Sequence, residues 1–455
     1  MTARTPILMA GLALLVACGG DESAPLPHVI VISLDTVRAD RLGCYGGAEG
    51  ATPRLDELAA RADLYRSCTA TSSWTLPSHA SMFTGLFPFE HGTHGFRTDE
   101  PADNVHPLHP DHATLAEEMR VVGYHTAGLV ANTVYLAVRY GVAQGFEEYE
   151  PSRRPGPALT DRALEIVDER IAADDGRPLF LFLNYMDTHR PYLFAPLEEI
   201  ARMPPDEHPA ALLEALCARV MNEGAPPGEL AERVAELYGR ALTVLDAEIG
   251  RLLDGLDERG VLDGAVVVVT SDHGEAFGTH GIVEHAKDVY EPLVAVPLLV
   301  KRSGQRAGRK LDEPASLVDV PGLVADAIGG AAGEELAGRF PRVPGAHPVT
   351  AEIHFARPRE VALYAGRFQR QRFSLREGRY KVIVEGDTVE LYDLSADPGE
   401  LVDLAERDPA RAEAMARSLR ELRSSGAYAG ERLMPQPPTP VQRKDIDELG
   451  YGGGR

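Results

Sequence analysis

The 455-residue sequence has little of three features that define common protein classes. It contains only four cysteines, none in a spacing typical of a zinc site. It has no excess of positive charge, since its formal net charge is −23. It has no apolar run long enough to span a bilayer. A zinc-binding module based on cysteine, a nucleic-acid-binding protein and a membrane-spanning protein are therefore disfavoured.

The sequence does have the composition and periodicity of a large globular domain, with 44% hydrophobic and 25% charged residues. Continuous apolar runs at residues 29–34, 179–183, 265–270 and 296–300 predict parallel strands that are buried on both faces. Helical stripes alternate with these runs, most clearly from Val234 to Leu256, ahead of Gly260. This alternation predicts a three-layer α/β/α sandwich with a mostly parallel sheet.

Two of the predicted strands end on acidic residues. Residues 29–34 are followed by Asp35, and residues 265–270 are followed by Ser271, Asp272 and His273. Ligands of open α/β sheets bind at the carboxyl ends of the strands, so we expect these side chains to meet there. Two carboxylates and an imidazole suit a divalent cation. The alternative is that they are polar caps on two buried strands.

A third informative segment, TSSWTLPSHASMFTGLFPFEHGTHG at residues 71–95, combines several hydroxyls with three histidines. A hydroxyl at the start of a helix becomes a nucleophile when a metal ion or a base lowers its pKa. Thr75 or Ser78 would otherwise only cap the helix. Together with the two acidic strand ends, the segment favours catalysis, with Thr75 as first candidate and Ser78 as second.

From about residue 28 to residue 404 the chain resembles the sulfatases of the alkaline phosphatase superfamily. The resemblance depends on the order of several segments, which is more specific than any one of them. It implies an alkaline phosphatase-like sandwich that hydrolyses sulfate or phosphate esters. The segments are DTVRADRLGCYG, TLPSHASMFTG, FLFLNYMDTHRPY, TSDHGEAFGTHG, HAKDVYEPLVAVPLLV and REGRYKVIVEGDTVELYDLSADPGELVDLA.

Two positions depart from the pattern of the family. Sulfatases usually carry Cys-x-Pro-Ser-Arg, whose cysteine is oxidised to formylglycine, whereas this chain has TLPSH from Thr75 to His79. Thr36 replaces the second of two consecutive aspartates that many members have. A threonine cannot collapse to an aldehyde, so water or another acceptor must open its covalent intermediate. Phosphoryl groups are handled in this way, which favours phosphate or phosphonate esters, whereas the whole pattern favours sulfate esters.

The resemblance also implies a set of site residues. They would bind one divalent cation, of which Ca²⁺, Mg²⁺ and Mn²⁺ fit best and Zn²⁺ is also compatible. The expected substrate is an anionic ester, either a small molecule or a glycan. Asn132 and His91 are weaker candidates that would only hold loops. The implied metal ligands are Asp35, Asp272, His273 and Thr75, and the implied catalytic residues are Thr75 (nucleophile), His189 (general acid), and His285 and Lys287 (the pair that binds the anion).

A rival hypothesis is a catalytically inactive surface lipoprotein that binds sulfated or phosphorylated glycans. The changes at Thr75 and His79 motivate it. The presence of Asp35, Asp272 and Lys287 argues against it, because a binding protein has less need of a metal-activated hydroxyl.

The amino terminus predicts a location outside the cytoplasm. After Arg4 the run ILMAGLALLVACGG reads as a signal peptide over residues 1–17. LVAC resembles a bacterial lipobox, so we expect Cys18 to be lipidated and residues 18–27 to form a linker. The expected product is a lipoprotein tethered to a periplasm-facing or cell-surface membrane. The alternative is an ordinary signal peptide with an incidental cysteine.

The remaining organisation follows from composition and from the family pattern. We expect a catalytic domain at residues 28–355, a small C-terminal sheet-and-helix subdomain at 356–430 and a flexible tail at 431–455. Within the subdomain, strands are predicted at 379–384 and 388–392, and a helix at 409–424. Residues 195–227 read as an insertion near the mouth of the site. Cys44 and Cys68 are able to pair in an oxidising compartment. The oligomeric state is not predicted.

Overall fold

The computed structural model describes residues 25–95, 105–354, 363–430 and 432–448. The predicted signal peptide and the lipidated Cys18 lie outside these ranges. The strands are β1 Val29–Leu34, β2 Asp63–Tyr65, β3 Cys68–Thr69, β4 His125–Val130, β5 Glu148–Pro151, β6 Leu179–Tyr185, β7 Val266–Thr270, β8 Ala276–Phe277, β9 Val283–Glu284, β10 Ala295–Val296, β11 Leu298–Lys301, β12 Arg309–Leu311, β13 Ala315–Ser316, β14 Val349–Ile353, β15 Arg372–Glu377, β16 Tyr380–Glu385 and β17 Thr388–Asp393.

The helices vary from single turns to one of 31 residues. Short 3₁₀ turns and a π-helical turn at Ala218–Asn222 lie between them. The α-helices are α1 Pro53–Ala59, α2 Thr75–Thr84, α3 Pro88–His91, α4 Leu115–Val121, α5 Gly156–Ala173, α6 Leu197–Ile200, α7 Pro209–Cys217, α8 Gly228–Glu258, α9 Glu291–Val294, α10 Val320–Ile328, α11 Gly330–Arg339, α12 Pro409–Ser425 and α13 Pro440–Glu448.

An eight-stranded sheet forms the centre of the molecule, in the order β12-β2-β11-β7-β1-β6-β4-β5. Strands β7, β1, β6, β4 and β5 are parallel to one another, which confirms the predicted mostly parallel sheet. One strand contradicts the prediction. Residues 296–300 were expected in a parallel strand, but β11 runs antiparallel to both β7 and β2. Burial on both faces makes a strand continuously apolar whichever way it runs, so the apolar run did not encode its direction.

Helices cover both faces of the sheet. Side chains three residues apart on a strand point to opposite faces. On β6, the Phe182 ring packs 5.8 Å from the ring of His79 on α2. The Tyr185 hydroxyl on the same strand is 2.8 Å from the Thr160 hydroxyl on α5. Helices α2 and α5 therefore belong to different layers, which confirms the predicted three-layer sandwich.

The small C-terminal sheet is antiparallel, in the order β14-β15-β16-β17. Strands β16 and β17 and helix α12 confirm the three elements predicted there. Leucine, methionine and alanine side chains of α12 pack on this sheet in a separate apolar core. The sheet begins at Val349, upstream of the predicted subdomain boundary at residue 356. Of the predicted tail, residues 432–448 are described and include helix α13.

Buried ion pairs connect the small sheet to the loop that follows β9 and to the first residue of α9. Arg372 Nη1 on β15 lies 2.7 Å from Asp288 Oδ2. Lys381 Nζ on β16 lies 2.8 Å from Glu291 Oε1 and donates to the Val289 carbonyl. Arg372 and Lys381 have side chains that are 2% and 1% exposed. We call Asp288, Glu291, Arg372 and Lys381 the clamp cluster.

Two further expectations concern the cysteines and the insertion. Cys44, Cys68 and Cys217 are all thiols, so the structure contains no Cys44–Cys68 disulfide. Residues 195–227 contain α6, α7 and the π-helical turn. Cys217, at the end of α7, lies 3.9 Å from the Glu284 carboxylate on β9. Within the described ranges, none of the helices is long and apolar enough to cross a membrane.

Candidate active site

The acidic residues predicted at the strand ends do meet at the carboxyl edge of the sheet. Strands β1 and β7 are neighbours and parallel, so the residues that follow them lie side by side. Asp35 follows β1, while Asp272 and His273 follow β7, and all three are fully buried. One ligand atom from each lies within 4.8 Å of the others. With Thr75, they form what we call the strand-end cluster.

The two carboxylates of this cluster fit a divalent cation. Asp35 Oδ1 and Asp272 Oδ2 are buried and accept no hydrogen bond from the part of the chain that the structure describes. Burial, reinforced by the Asp272 carboxylate, raises the pKa of Asp35 to about 8. Burial likewise raises the pKa of Asp272 to about 7. Two ionised carboxylates at this depth need nearby positive charge, and the oxygen atoms that face each other can hold a cation that supplies it.

The ring of His273 is oriented so that Nε2 faces the carboxylates. Its Nδ1 lies 3.0 Å from the Gly274 carbonyl, which only accepts, so Nδ1 carries a proton. Nε2 is the atom that can bind a metal ion, and it is 3.4 Å from Asp272 Oδ2 and 4.0 Å from Asp35 Oδ1. A hydrogen bond of this kind on the second nitrogen fixes the ring of a ligating histidine.

Thr75 is the first residue of α2, and its side chain points into the same cluster. Its Oγ1 lies 3.3 Å from His273 Nε2 and 3.4 Å from Asn132 Nδ2. The amide of Asn132 also donates to Asp35 Oδ2 at 3.0 Å, so this residue connects the hydroxyl with a carboxylate. The alternative nucleophile, Ser78, donates its hydroxyl to the Ser72 carbonyl at 2.8 Å. The arrangement therefore favours Thr75 over Ser78.

His79 occupies the position where formylglycine sulfatases have an arginine, and it is uncharged here. Burial lowers its pKa to about 3. Its Nδ1 donates to the Thr75 carbonyl at 2.8 Å, and its Nε2 accepts from the Ser33 hydroxyl at 3.0 Å. The ring is 3.7 Å from Asp272 Oδ2 at its closest. The site thus lacks the permanent positive charge that an arginine would bring.

Thr36 does not act as a second aspartate would. Its backbone is in the left-handed region with φ of 65°, which is rare for a β-branched residue. The backbone N–H donates to Asp272 Oδ1 at 3.2 Å, while the side-chain hydroxyl donates to the Thr188 carbonyl at 2.9 Å. The left-handed backbone of Thr36 therefore directs its N–H group towards the Asp272 carboxylate. The Thr36 side chain holds the loop before His189.

The predicted acid, His189, and the predicted anion-binding histidine, His285, lie beside the cluster with their rings tilted against each other. The ring of His285 lies 4.6 Å from that of His273 and 4.9 Å from that of His189. Burial, with a further contribution from His285, holds the pKa of His189 well below its usual value. Its Nδ1 donates to the Arg190 carbonyl, which leaves Nε2 as the reactive atom. Lys287 Nζ donates to the His285 carbonyl and lies 3.6 Å from Glu284.

Two acidic residues of the site were not predicted. Glu275 accepts from His285 Nδ1 at 2.9 Å and is fully buried, and burial raises its pKa to about 8. Glu284 pairs with Arg190 at 2.8 Å. Glu275 ends the TSDHGE string and was visible there, but nothing in one sequence identifies its partner. The weak candidate His91 bonds to the Thr93 amide and to Ser81, so it holds a loop.

Comparison with known proteins gives one consistent result. The family model "Sulfatase" matches residues 27–330. Mouse iduronate 2-sulfatase is 23% identical over 358 residues, which cover 65% of this chain but only 63% of that protein. Delta 4,5-hexuronate-2-O-sulfatase of Bacteroides thetaiotaomicron is 24% identical, with 88% of each chain covered. The phosphonate monoester hydrolase of Agrobacterium radiobacter superposes with a TM-score of 0.64 at 21% identity, covering 90% of this chain and 100% of that one.

Proposed function

Since the chain belongs to the sulfatase family, we propose that it hydrolyses a sulfate or phosphate ester with Thr75 as the nucleophile. One observation carries the proposal. Thr75 is the first residue of a helix, and its hydroxyl lies 3.3 Å from His273 Nε2, next to two buried carboxylate oxygens. A hydroxyl in this setting is one that a cation activates.

Asp35, Asp272 and His273 would hold one divalent cation. Their mixed oxygen and nitrogen donors suit Ca²⁺, Mg²⁺ or Mn²⁺ and are compatible with Zn²⁺. Such an ion would lower the pKa of the Thr75 hydroxyl and offset the negative charge of the ester.

The side chains of the site have separate tasks in the reaction. Thr75 loses its proton to solvent and attacks the sulfur or phosphorus atom, and the bond to the leaving oxygen breaks. His189 gives a proton from Nε2 to that oxygen. Its pKa is lowered in the free protein, but a bound anion beside it favours the protonated ring. His285 and Lys287 bind the non-bridging oxygens. Water then gives a proton to His189 Nε2 and attacks the same sulfur or phosphorus atom. The bond to the Thr75 oxygen breaks, the sulfate or phosphorus product leaves, and the Thr75 oxygen regains a proton from solvent.

We further propose that phosphate or phosphonate esters are turned over at least as well as sulfate esters. Threonine has no route to an aldehyde, so its ester must be opened by attack at the transferred atom. The name of the phosphonate monoester hydrolase that superposes on this chain supports the phosphorus chemistry. The name of the hexuronate sulfatase supports a glycan sulfate instead. In either case the substrate is an anionic ester.

The enzyme would act at a membrane surface outside the cytoplasm. The support is the LVAC string that ends at Cys18, because a lipid on that residue would tether the folded chain to a membrane.

A substrate and metal panel tests the function. Purified protein is assayed on an aryl sulfate, an aryl phosphate and a phosphonate monoester with each of Ca²⁺, Mg²⁺, Mn²⁺ and Zn²⁺. The mass of the proteolytic peptide that contains Thr75 is measured by mass spectrometry. We expect an unmodified threonine and metal-dependent turnover, with phosphorus esters at least equal to sulfate. If no ester of either class is hydrolysed with any metal, the glycan-binding hypothesis replaces this one.

A further inference from the structure

We propose that His94, Glu352 and His354 form a second cation site, which binds an imidazole-preferring transition metal such as Zn²⁺. One donor atom from each residue lies within 4.8 Å of the others. The site shares no residue with the strand-end cluster, and the proposal does not depend on ester hydrolysis.

Two of these ligands come from one strand. Glu352 lies in β14 and His354 follows its end, so the two side chains leave the same face. His94 reaches them from the loop after α3. His94 and Glu352 are 6% and 3% exposed, and the His354 side chain is 10% exposed. Two imidazoles and a carboxylate at this depth are a ligand set that zinc sites use.

The spacing of the donor atoms fits a shared ion. His354 Nε2 and Glu352 Oε1 are 3.0 Å apart, close to the separation of about 3.3 Å between two atoms bound tetrahedrally to zinc. The rings of His94 and His354 are stacked, with centroids 3.7 Å apart and planes at 9°. Because lone pairs of parallel rings do not converge, one ring must turn to bind. His94 Nδ1 has no hydrogen-bond partner among the described residues, so turning this ring breaks no hydrogen bond at that atom.

Two side chains contact the far atoms of these ligands. Gln371 Nε2 donates to Nδ1 of His354 at 3.0 Å, so binding of a metal at Nε2 requires this amide to turn and present its oxygen to an Nδ1 proton. Arg423 Nε lies 3.1 Å from Glu352 Oε2, the oxygen that the histidine does not contact. Hydrogen bonds on the far atoms of ligands orient them towards the ion.

The charges around His94, Glu352 and His354 determine which kind of metal ion this second site prefers. Arg423 already offsets much of the Glu352 charge, so a hard cation that needs several anionic oxygens is disfavoured, and a metal that imidazole binds well is favoured. A cavity of about 360 Å³ opens beside His94 and His354 and is also lined by Arg420, Arg423 and Arg432. These guanidinium groups would favour an anion at the remaining coordination position.

The test counts ions in the full-length chain with the first site disabled. Asp272→Ala protein is stripped with a chelator, checked by circular dichroism and titrated with Co²⁺, which reports bound imidazole through visible absorbance. We expect one Co²⁺ per chain. Adding His94→Ala or His354→Ala should weaken binding by more than about 10-fold, whereas the control His208→Ala should not change it.

A second measurement does not depend on whether the variants fold. X-ray absorption of zinc-loaded wild type should contain a zinc ion with two imidazole ligands, whereas the strand-end cluster supplies one. Absence of a two-imidazole ion, or unchanged Co²⁺ affinity in both histidine variants, would overturn the second site. Turnover of esters is not a readout in either experiment, so failure here is distinguishable from failure of the proposed enzyme.

Discussion

The strand-end cluster and the clamp cluster are both buried and both charged, but their charges are offset differently. In the clamp cluster each carboxylate faces a guanidinium or ammonium group within 2.8 Å. In the strand-end cluster two carboxylates face one imidazole, and two of their oxygens accept no hydrogen bond from any described residue. Removal of one partner from a paired buried charge destabilises the fold, because the other charge stays buried without compensation. Buried charges without a protein partner are instead candidates for binding a ligand.

The largest expected effect concerns the hydroxyl of the strand-end cluster. Thr75→Ala should lower turnover by roughly 10³-fold or more, because the nucleophile is lost. Thr75→Ser should retain part of the activity, since it keeps the hydroxyl. The control is Ser78→Ala, whose hydroxyl already donates to the Ser72 carbonyl. Steady-state kinetics on the best ester measure all three. Near-wild-type turnover in Thr75→Ala would place the nucleophile elsewhere.

The clamp cluster should respond in stability. Lys381→Met keeps the length of the side chain but leaves buried Glu291 and Glu400 without their ammonium partner. We expect a loss of about 3–5 kcal/mol in the free energy of unfolding, measured by urea denaturation. The matched control is Arg379→Ala, which removes an exposed guanidinium from its pair with Asp393 and should cost about 0–1 kcal/mol, since Asp393 keeps its hydrogen bonds from Ser395. If the two variants lost the same free energy of unfolding, the clamp cluster would not stabilise the fold more than an ordinary surface ion pair does.

The converse experiment removes a charge from the strand-end cluster. Asp272→Ala should lose one bound divalent ion, measured by elemental analysis, with metal affinity reduced by at least about 10-fold. The ion-free variant should be moderately less stable than ion-free wild type, because the Thr36 and His273 amides lose Asp272 Oδ1 as their acceptor, and the removal of a buried carboxylate offsets only part of that cost. Asp246→Ala is the control. Its carboxylate accepts from the Arg54 and Leu55 amides, so its loss should lower stability and leave the metal content unchanged.

The smallest effect is expected at Cys18, which belongs to neither cluster. Cys18→Ala should move the protein from the detergent phase to the soluble fraction, because the lipid is lost. The catalytic constants of the purified chain should not change. Identical partitioning of wild type and variant would argue against the lipid anchor.

The sequence predicts the strand-end cluster better than its surroundings for a physical reason. A buried parallel strand is an apolar run, and the residue that ends it is marked by its polarity, as Asp35 and Asp272 are. Three other features depend on tertiary packing, which the local sequence does not encode. They are the direction of β11, the uncharged state of the buried His79 ring and the hydrogen bond from His285 to Glu275. The clamp cluster joins segments that lie about 80–90 residues apart in the chain. No local sequence pattern predicts that Lys381 will contact Glu291.

The left-handed backbone of Thr36 has a consequence for how the family pattern can change at this position. Aspartate adopts φ near 65° at lower cost than a β-branched residue does. Aspartate at this position would therefore meet no conformational barrier, and the difference between the two residues is chemical. A second carboxylate would add a third negative charge beside Asp35 and Asp272, and the chain would lose the hydroxyl that donates to the Thr188 carbonyl.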